Sequence, residues 1–219
     1  MIPISTGTNN VFPEMLDGTT AGTAAALVAT GAVTPDSVRA RSKRLLVEFT
    51  APDGTSIVDE ALVEVALIDA AFTGARAVTD ARDVREVVAA LADPASTGLS
   101  SIAGRVLPLD RRAPGGVYVR LSTDSDGAAR TVRVPLVPGT FHTVRIAEAR
   151  RVAFGEPIEL HGPGVLAYDG ERDRVLAAGT TATVVVRDDG PHVVDVDHTL
   201  MLAADRRCFD LSREGDHGD

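Results

Sequence analysis

The pattern of apolar and polar positions changes character along the 219-residue chain. Near the start, Thr19 to Thr30 carries Ala21, Ala24, Ala25, Ala26, Leu27 and Val28, which supply helix formers and an apolar face, so this window predicts a helix. Asp17 or Thr19 can cap it and Gly31 can end it. Pro35-Asp36 then opens a short turn. From Arg44 onward the runs become short and β-prone. Arg44 to Phe49 and Ser56 to Asp59 read as strands joined across the hairpin signal Asp53-Gly54. Ala61 to Asp69 is a second apolar run, interrupted by Glu64. Asp80 to Arg85 reads as one helical turn capped by Asp80. Glu86 to Leu91 is expected as a strand, although the periodicity also permits a single helix from Ala81 to Leu91. Beyond Leu107 the β-prone runs are Val117 to Leu121, Thr131 to Val137, Phe141 to Ala147, Arg151 to Phe154, Ile158 to Leu160, Val165 to Tyr168, Arg174 to Leu176, Thr181 to Val186 and His192 to Val196. Gly, Pro and Asp separate them, as in Pro114-Gly115-Gly116, Pro138-Gly139 and Asp189-Gly190. Closely spaced short strands suggest a sandwich or layered sheets. The charged tail from Arg213 to Asp219 is expected to fray.

Composition narrows the classes. Hydrophobic residues make up 44% of the chain, enough for a sizeable core, and aromatic residues only 4%, so that core is built from Val, Leu, Ile and Ala. The formal charge of -9 argues against general nucleic-acid binding, which needs a positive footprint. Cys208 is the single cysteine, so no intrachain disulfide forms and a reducing, cytoplasmic setting is expected. Met1-Ile2-Pro3 has neither the basic region nor the apolar run of a signal peptide, and no stretch has the length of a membrane helix. His142, His161, His192, His198 and His217 show no metal-ligand spacing on one helix, and no metal site is expected. His192, Val194, Val196 and His198 read as one face of an extended strand.

Several stretches carry candidate chemistry. Ser5, Thr6, Gly7, Thr8, Asn9 and Asn10 form a run of small residues between an apolar start and Val11-Phe12-Pro13. Small side chains let the backbone approach a ligand closely, and hydroxyls and amides offer partners to phosphate or ribose oxygens. A polar turn is the plainer reading of the same residues. Glu64 is a carboxylate inside an apolar strand, which is uncommon unless it is paired, faces a cleft or points to solvent. Asp93 to Gly104 runs through Thr97, Gly98, Ser100 and Ser101 into a helix of small residues. Free amides at such a helix start attract anions, although Ser, Thr and Gly are frequent there in any case. Asp169-Gly170-Glu171 is a good hairpin turn.

These stretches together resemble the NAD kinase and diacylglycerol kinase superfamily, and within it most closely the ATP-NAD kinase-like proteins of acetoin catabolism, the AcoX branch. That branch carries a loop close to Ile4-Ser5-Thr6-Gly7-Thr8-Asn9-Asn10-Val11-Phe12-Pro13, a Thr-Gly loop running into a helix as at Thr97-Gly98, and an Asp-Gly-Glu turn as at Asp169-Gly170-Glu171. The resemblance implies an α+β, NAD kinase-like fold. Residues 1–40 would be a remnant of the N-terminal α/β nucleotide-binding domain, 41–208 a β-rich C-terminal domain of layered sheets, and 209–219 a disordered tail. It implies phosphoryl transfer from ATP, with Mg2+, to NAD or a related small-molecule hydroxyl. Ser5, Thr6, Gly7, Thr8, Asn9, Asn10, Glu64, Thr97, Gly98, Ser100 and Ser101 would then contact substrate or nucleotide. Asp169 and Glu171 would take part in metal or phosphate chemistry. NAD kinases carry an Asn-Glu pair in the strand that contacts the nucleoside; here Val63 precedes Glu64. The family's main acidic residue lies in a Gly-Gly-Asp-Gly-Thr motif that this sequence does not contain. A non-catalytic nucleotide-binding or regulatory module is therefore the alternative expectation. A separate N-terminal domain or a homodimer is the expected partner, with no membrane or nucleic acid.

Overall fold

The computed structural model describes residues 1–5, 11–51, 53–69, 80–122 and 130–210. In chain order the elements are α1 (Gly18–Ala29), α2 (Pro35–Val38), β1 (Arg39–Arg41), β2 (Arg44–Thr50), β3 (Ser56–Ala61), β4 (Glu64–Ile68), a 3-10 turn (Ala81–Asp83), β5 (Val84–Ala89), α3 (Ser100–Val106), β6 (Gly116–Leu121), β7 (Arg130–Val137), β8 (Thr140–Val152), β9 (Pro157–His161), β10 (Gly164–Tyr168), β11 (Arg172–Leu176), β12 (Thr181–Arg187), β13 (His192–Val194) and α4 (Val196–Asp205). Strands dominate and helices are few, so the class is α+β with a β-rich body. Among the described residues no helix is long and apolar enough to cross a membrane.

The chain separates into two compact units. The smaller comprises Met1–Thr6, Pro13–Arg41 and Pro191–Asp219. Its α1 begins where Asp17 caps it, the carboxylate accepting from the amides of Thr19 at 2.8 Å and Thr20 at 3.1 Å. Gly31, at φ 78°, ends the helix as the sequence suggests. Buried Val33, Val38 and Ala203 form its core, with Leu27, Val28, Val194 and Leu202 packed around them. β1 and β13 pair antiparallel, Arg39 opposite Val194. The expected extended face His192-Val194-Val196-His198 does not exist. The strand stops at Val194 and the chain turns into α4, because the Asp195 carboxylate accepts from the His198 amide at 2.9 Å and caps a new helix.

The larger unit comprises Gly7–Phe12 and Ser42–Gly190. It holds a seven-stranded sheet in the order β11-β10-β4-β5-β6-β8-β7 and a four-stranded sheet in the order β3-β2-β12-β9. Every strand pair in both is antiparallel. Between the sheets lies one apolar layer, with Leu45, Val47, Val65, Leu67, Leu166 and Tyr168 among its members. On the other face of the seven-stranded sheet, α3 covers a second layer that includes Ala66, Val87, Ala89, Ile102, Ala103 and Val119. β4 and β5 thus have apolar residues on both faces. The open reading of Glu86 to Leu91 is thus strand, running Val84–Ala89: burial on both sides removes the alternation that would have marked it. The expected strands Phe141 to Ala147 and Arg151 to Phe154 are one thirteen-residue strand, β8. Its first half pairs with β7 and its second with β6, and the polar break at Glu148 and Arg150 is half-exposed, with Arg150 over the Tyr118 ring and bonded to Glu156.

α3 lies against the backbone that leads into it. A Cβ at Gly104 would sit 2.2 Å from the Asp93 carbonyl oxygen and 2.5 Å from its carbon. Only glycine permits this approach.

Candidate functional site

Glu64 opens β4, opposite Ala89 of β5. Side chains alternate along a strand, so it shares a face with Ala66 and Ile68, the face that α3 covers. It is 4% exposed. Burial, with the Asp169 charge adding to it, pushes its carboxyl up to about 8. At neutral pH Glu64 is therefore a neutral acid, with one O–H donor and spare acceptor capacity.

The Asp169-Gly170 turn joins β10 to β11 with positive φ at both residues, 52° and 69°. The Asp169 carboxylate points back at the β3–β4 connection. It accepts from the amides of Leu62 at 3.0 Å, Val63 at 2.8 Å and Glu64 at 3.2 Å. The Asp169 amide in turn donates to the Glu64 carbonyl at 3.0 Å. Glu171 is exposed, and its amide donates to the Tyr168 carbonyl.

The Asp93 to Ser101 segment follows β5. Gly98 adopts φ 90° and donates its amide to the Pro135 carbonyl at 3.0 Å. The Ser101 hydroxyl donates to the Gly98 carbonyl at 2.6 Å and Ser100 lies near the Thr97 carbonyl, with both serines buried. These hydroxyls thus tie the loop to its helix. Thr97 is half-buried. α3 has only seven residues and no side-chain cap at its start.

Ser5 donates its amide to the Glu14 carbonyl at 3.0 Å in the smaller unit. Thr6, Gly7, Thr8, Asn9 and Asn10 lie outside the described residues. Just past them, Val11 and Phe12 are held by a residue with no warning in the sequence. Arg111 donates to the Phe12 carbonyl at 2.7 Å and the Val11 carbonyl at 2.9 Å, and its guanidinium lies 5.9 Å from the Phe12 ring centroid. A cleft of about 390 Å³ lies here, bordered by Val11, Asp93, Pro94, Pro108, Asp110 and Arg111. Its walls are fixed from beneath. The Leu109 amide bonds the Ala92 carbonyl, and buried Lys43 donates to the carbonyls of Ala113 and Gly115 at 3.0 and 3.1 Å. Burial pushes the Lys43 ammonium down to about 8, against the attraction of Asp110. Both Lys43 and Arg111 bind backbone carbonyls, which leave no pattern of side-chain types to read. Replacing Arg111 with alanine is expected to cost about 1 kcal/mol in urea denaturation. Arg111→Lys should recover little of it, because one ammonium does not reproduce the planar fork over both carbonyls and the ring.

Among the described residues no group of three or more His, Cys, Asp or Glu side chains is placed to hold a metal ion.

Taken together, these features define a two-sheet antiparallel domain with a buried carboxyl at the start of an inner strand of its larger sheet. Residues 43–189 match the model of the acetoin catabolism protein X C-terminal domain, and the chain belongs to that family. It is 36% identical over 194 residues to acetoin catabolism protein X of Cupriavidus necator, an alignment that covers 88% of this chain and 54% of that protein. The chain therefore spans about half the length of the curated relative it matches. Among solved structures it is similar to yeast NADH kinase complexed with NADH, at 14% identity and a TM-score of 0.45, over 81% of this chain and 50% of that one.

Proposed function

We propose that this chain is a nucleotide-binding part of an NAD kinase-like protein, and that Glu64 contacts the nucleoside of NAD or a related dinucleotide. The observation that carries this reading is the burial of the Glu64 carboxyl at the start of β4, which favours its neutral form. A neutral carboxyl both donates and accepts, which suits adjacent ribose hydroxyls or a base edge. By the resemblance, Glu64 stands where NAD kinases carry the Glu of an Asn-Glu pair, and Val63 in place of Asn predicts weaker or altered base contacts. Family membership supports phosphoryl transfer from ATP with Mg2+ as the activity of the whole protein. Mg2+ would enter with the nucleotide phosphates, since the described residues offer no metal cluster of their own. The Gly-Gly-Asp-Gly-Thr carboxylate is not among these 219 residues. A second reading, for these residues alone, is a module that binds nucleotide without turning it over.

Calorimetric titration with NAD, NADH, ADP and ATP with Mg2+, run beside a phosphoryl-transfer assay, tests both. Saturable binding that Glu64→Ala weakens at least tenfold, without turnover, is the expected result. Turnover by this chain would remove the second reading. No binding by folded, monodisperse protein would sink both.

A further inference from the structure

The resemblance implies metal or phosphate chemistry for Asp169, and the structure shows its carboxylate bonded to the backbone of the β3–β4 connection. Three backbone amides make four contacts with its two oxygens: Leu62, Val63 and Glu64 all reach Oδ1, and Leu62 also reaches Oδ2 at 3.0 Å. With the Asp169 amide on the Glu64 carbonyl, Asp169 engages the N–H and the C=O of Glu64 alike. The hairpin that carries Asp169 is itself tied down. Arg172 and Arg174 of β11 bond the two oxygens of Asp59 on β3 at 2.7 and 2.8 Å, and Arg172 also lies 5.4 Å from the Tyr168 ring centroid. Despite the cost of its own partial burial, these bonds from Arg174 and Arg172 hold Asp59 down to about 2, so the tie is charged at any working pH.

We propose that Asp169 is a positioning residue that fixes the backbone of Leu62 to Glu64 and so presents the Glu64 side chain to a ligand, without touching that ligand itself. This rests on the reading of Glu64 as a nucleoside contact. Among the described residues, Asp169 is the only charge acting on Glu64, and uncharged Ala89 of β5 lies opposite it.

The test uses Asp169→Asn in the full chain. The Glu64 carbonyl stretch is followed by infrared spectroscopy against pH, with Glu64→Gln identifying the band and no ligand present. NADH binding is measured in parallel. The Glu64 midpoint is expected to fall by on the order of one pH unit, from loss of the neighbouring charge and looser burial. NADH affinity is expected to fall about tenfold, with its pH profile moving alongside the midpoint. A lowered melting temperature with an unmoved midpoint would overturn the proposal, as would abolished binding with an unmoved midpoint, the mark of direct ligand contact. If Asp169→Asn does not fold, Arg172→Gln carries the test. It loosens the hairpin, leaves the Asp169 charge in place and should also lower the midpoint by admitting water; an unchanged midpoint there overturns the proposal. Wild-type protein that binds no NADH would remove the nucleoside reading, while the infrared midpoint would still decide whether Asp169 holds Glu64.

Discussion

Gly104→Val is expected to destabilise the β-rich unit by more than about 3 kcal/mol, read as a drop in the urea midpoint. The reason is steric and local. The added Cβ would meet the Asp93 carbonyl oxygen at 2.2 Å, the Asp93 carbon at 2.5 Å and the Pro94 nitrogen at 3.0 Å, all of them backbone atoms that have no rotamer to escape into. Relief requires α3 to lift from the sheet, which uncovers Ile102 and Ala103, both fully buried. Gly104→Ala should show the same sign and a smaller size, even though alanine favours a helix by about 1 kcal/mol over glycine. Gly22 in α1 is the control. A Cβ there meets nothing within 4 Å, so Gly22→Ala should be neutral or gain stability. A Gly104→Val protein as stable as wild type would mean that α3 does not lie on Asp93 as described.

Glu64→Gln should make the protein more stable than wild type at alkaline pH, by an amount that grows across a defined window. The folded Glu64 holds its proton up to about 8, against 4.5 for the ordinary side chain. Between these values the folded chain carries a proton that the unfolded chain has lost. Stability linked to Glu64 is thus fully present below pH 4.5 and is lost as pH rises through 8. Glutamine has no proton to lose, so the difference between variant and wild type should widen from pH 4.5 to 8 at up to about 1.4 kcal/mol per pH unit, then level off. Thermal melts of both proteins across that range check it. Parallel curves would show that Glu64 is not held in its neutral form.

Much of the β-rich body is legible because its turns are written in the sequence. Asp53-Gly54, Pro138-Gly139 and Asp169-Gly170 each sit where a hairpin turns, with the glycine at positive φ. What escapes reading has physical causes. α4 is hidden because its cap, Asp195, lies inside a run that alternates like a strand. β8 reads as two strands because Glu148 and Arg150 break its apolar pattern, yet both satisfy themselves at the surface through an ion pair with each other. In the site, Glu64 stands out as a carboxylate in an apolar run. Its relation to Asp169, more than a hundred residues away, does not, since backbone amides look the same under any side chain. Arg111 escapes for the same reason.

The double cover over the middle of the seven-stranded sheet has a consequence for how the molecule opens. β4 and β5 are hydrogen-bonded on both edges and packed on both faces, whereas among the described residues β7 and β11 each have a neighbour on one edge only. Local opening should therefore proceed inward from the margins. In deuterated water the amides of 64–68 and 84–89 should be the last to exchange, at a rate set by global unfolding, while those of β11 turn over early. Glu64 would then sit on the slowest-opening segment of its unit, held by a hairpin whose own outer strand opens first.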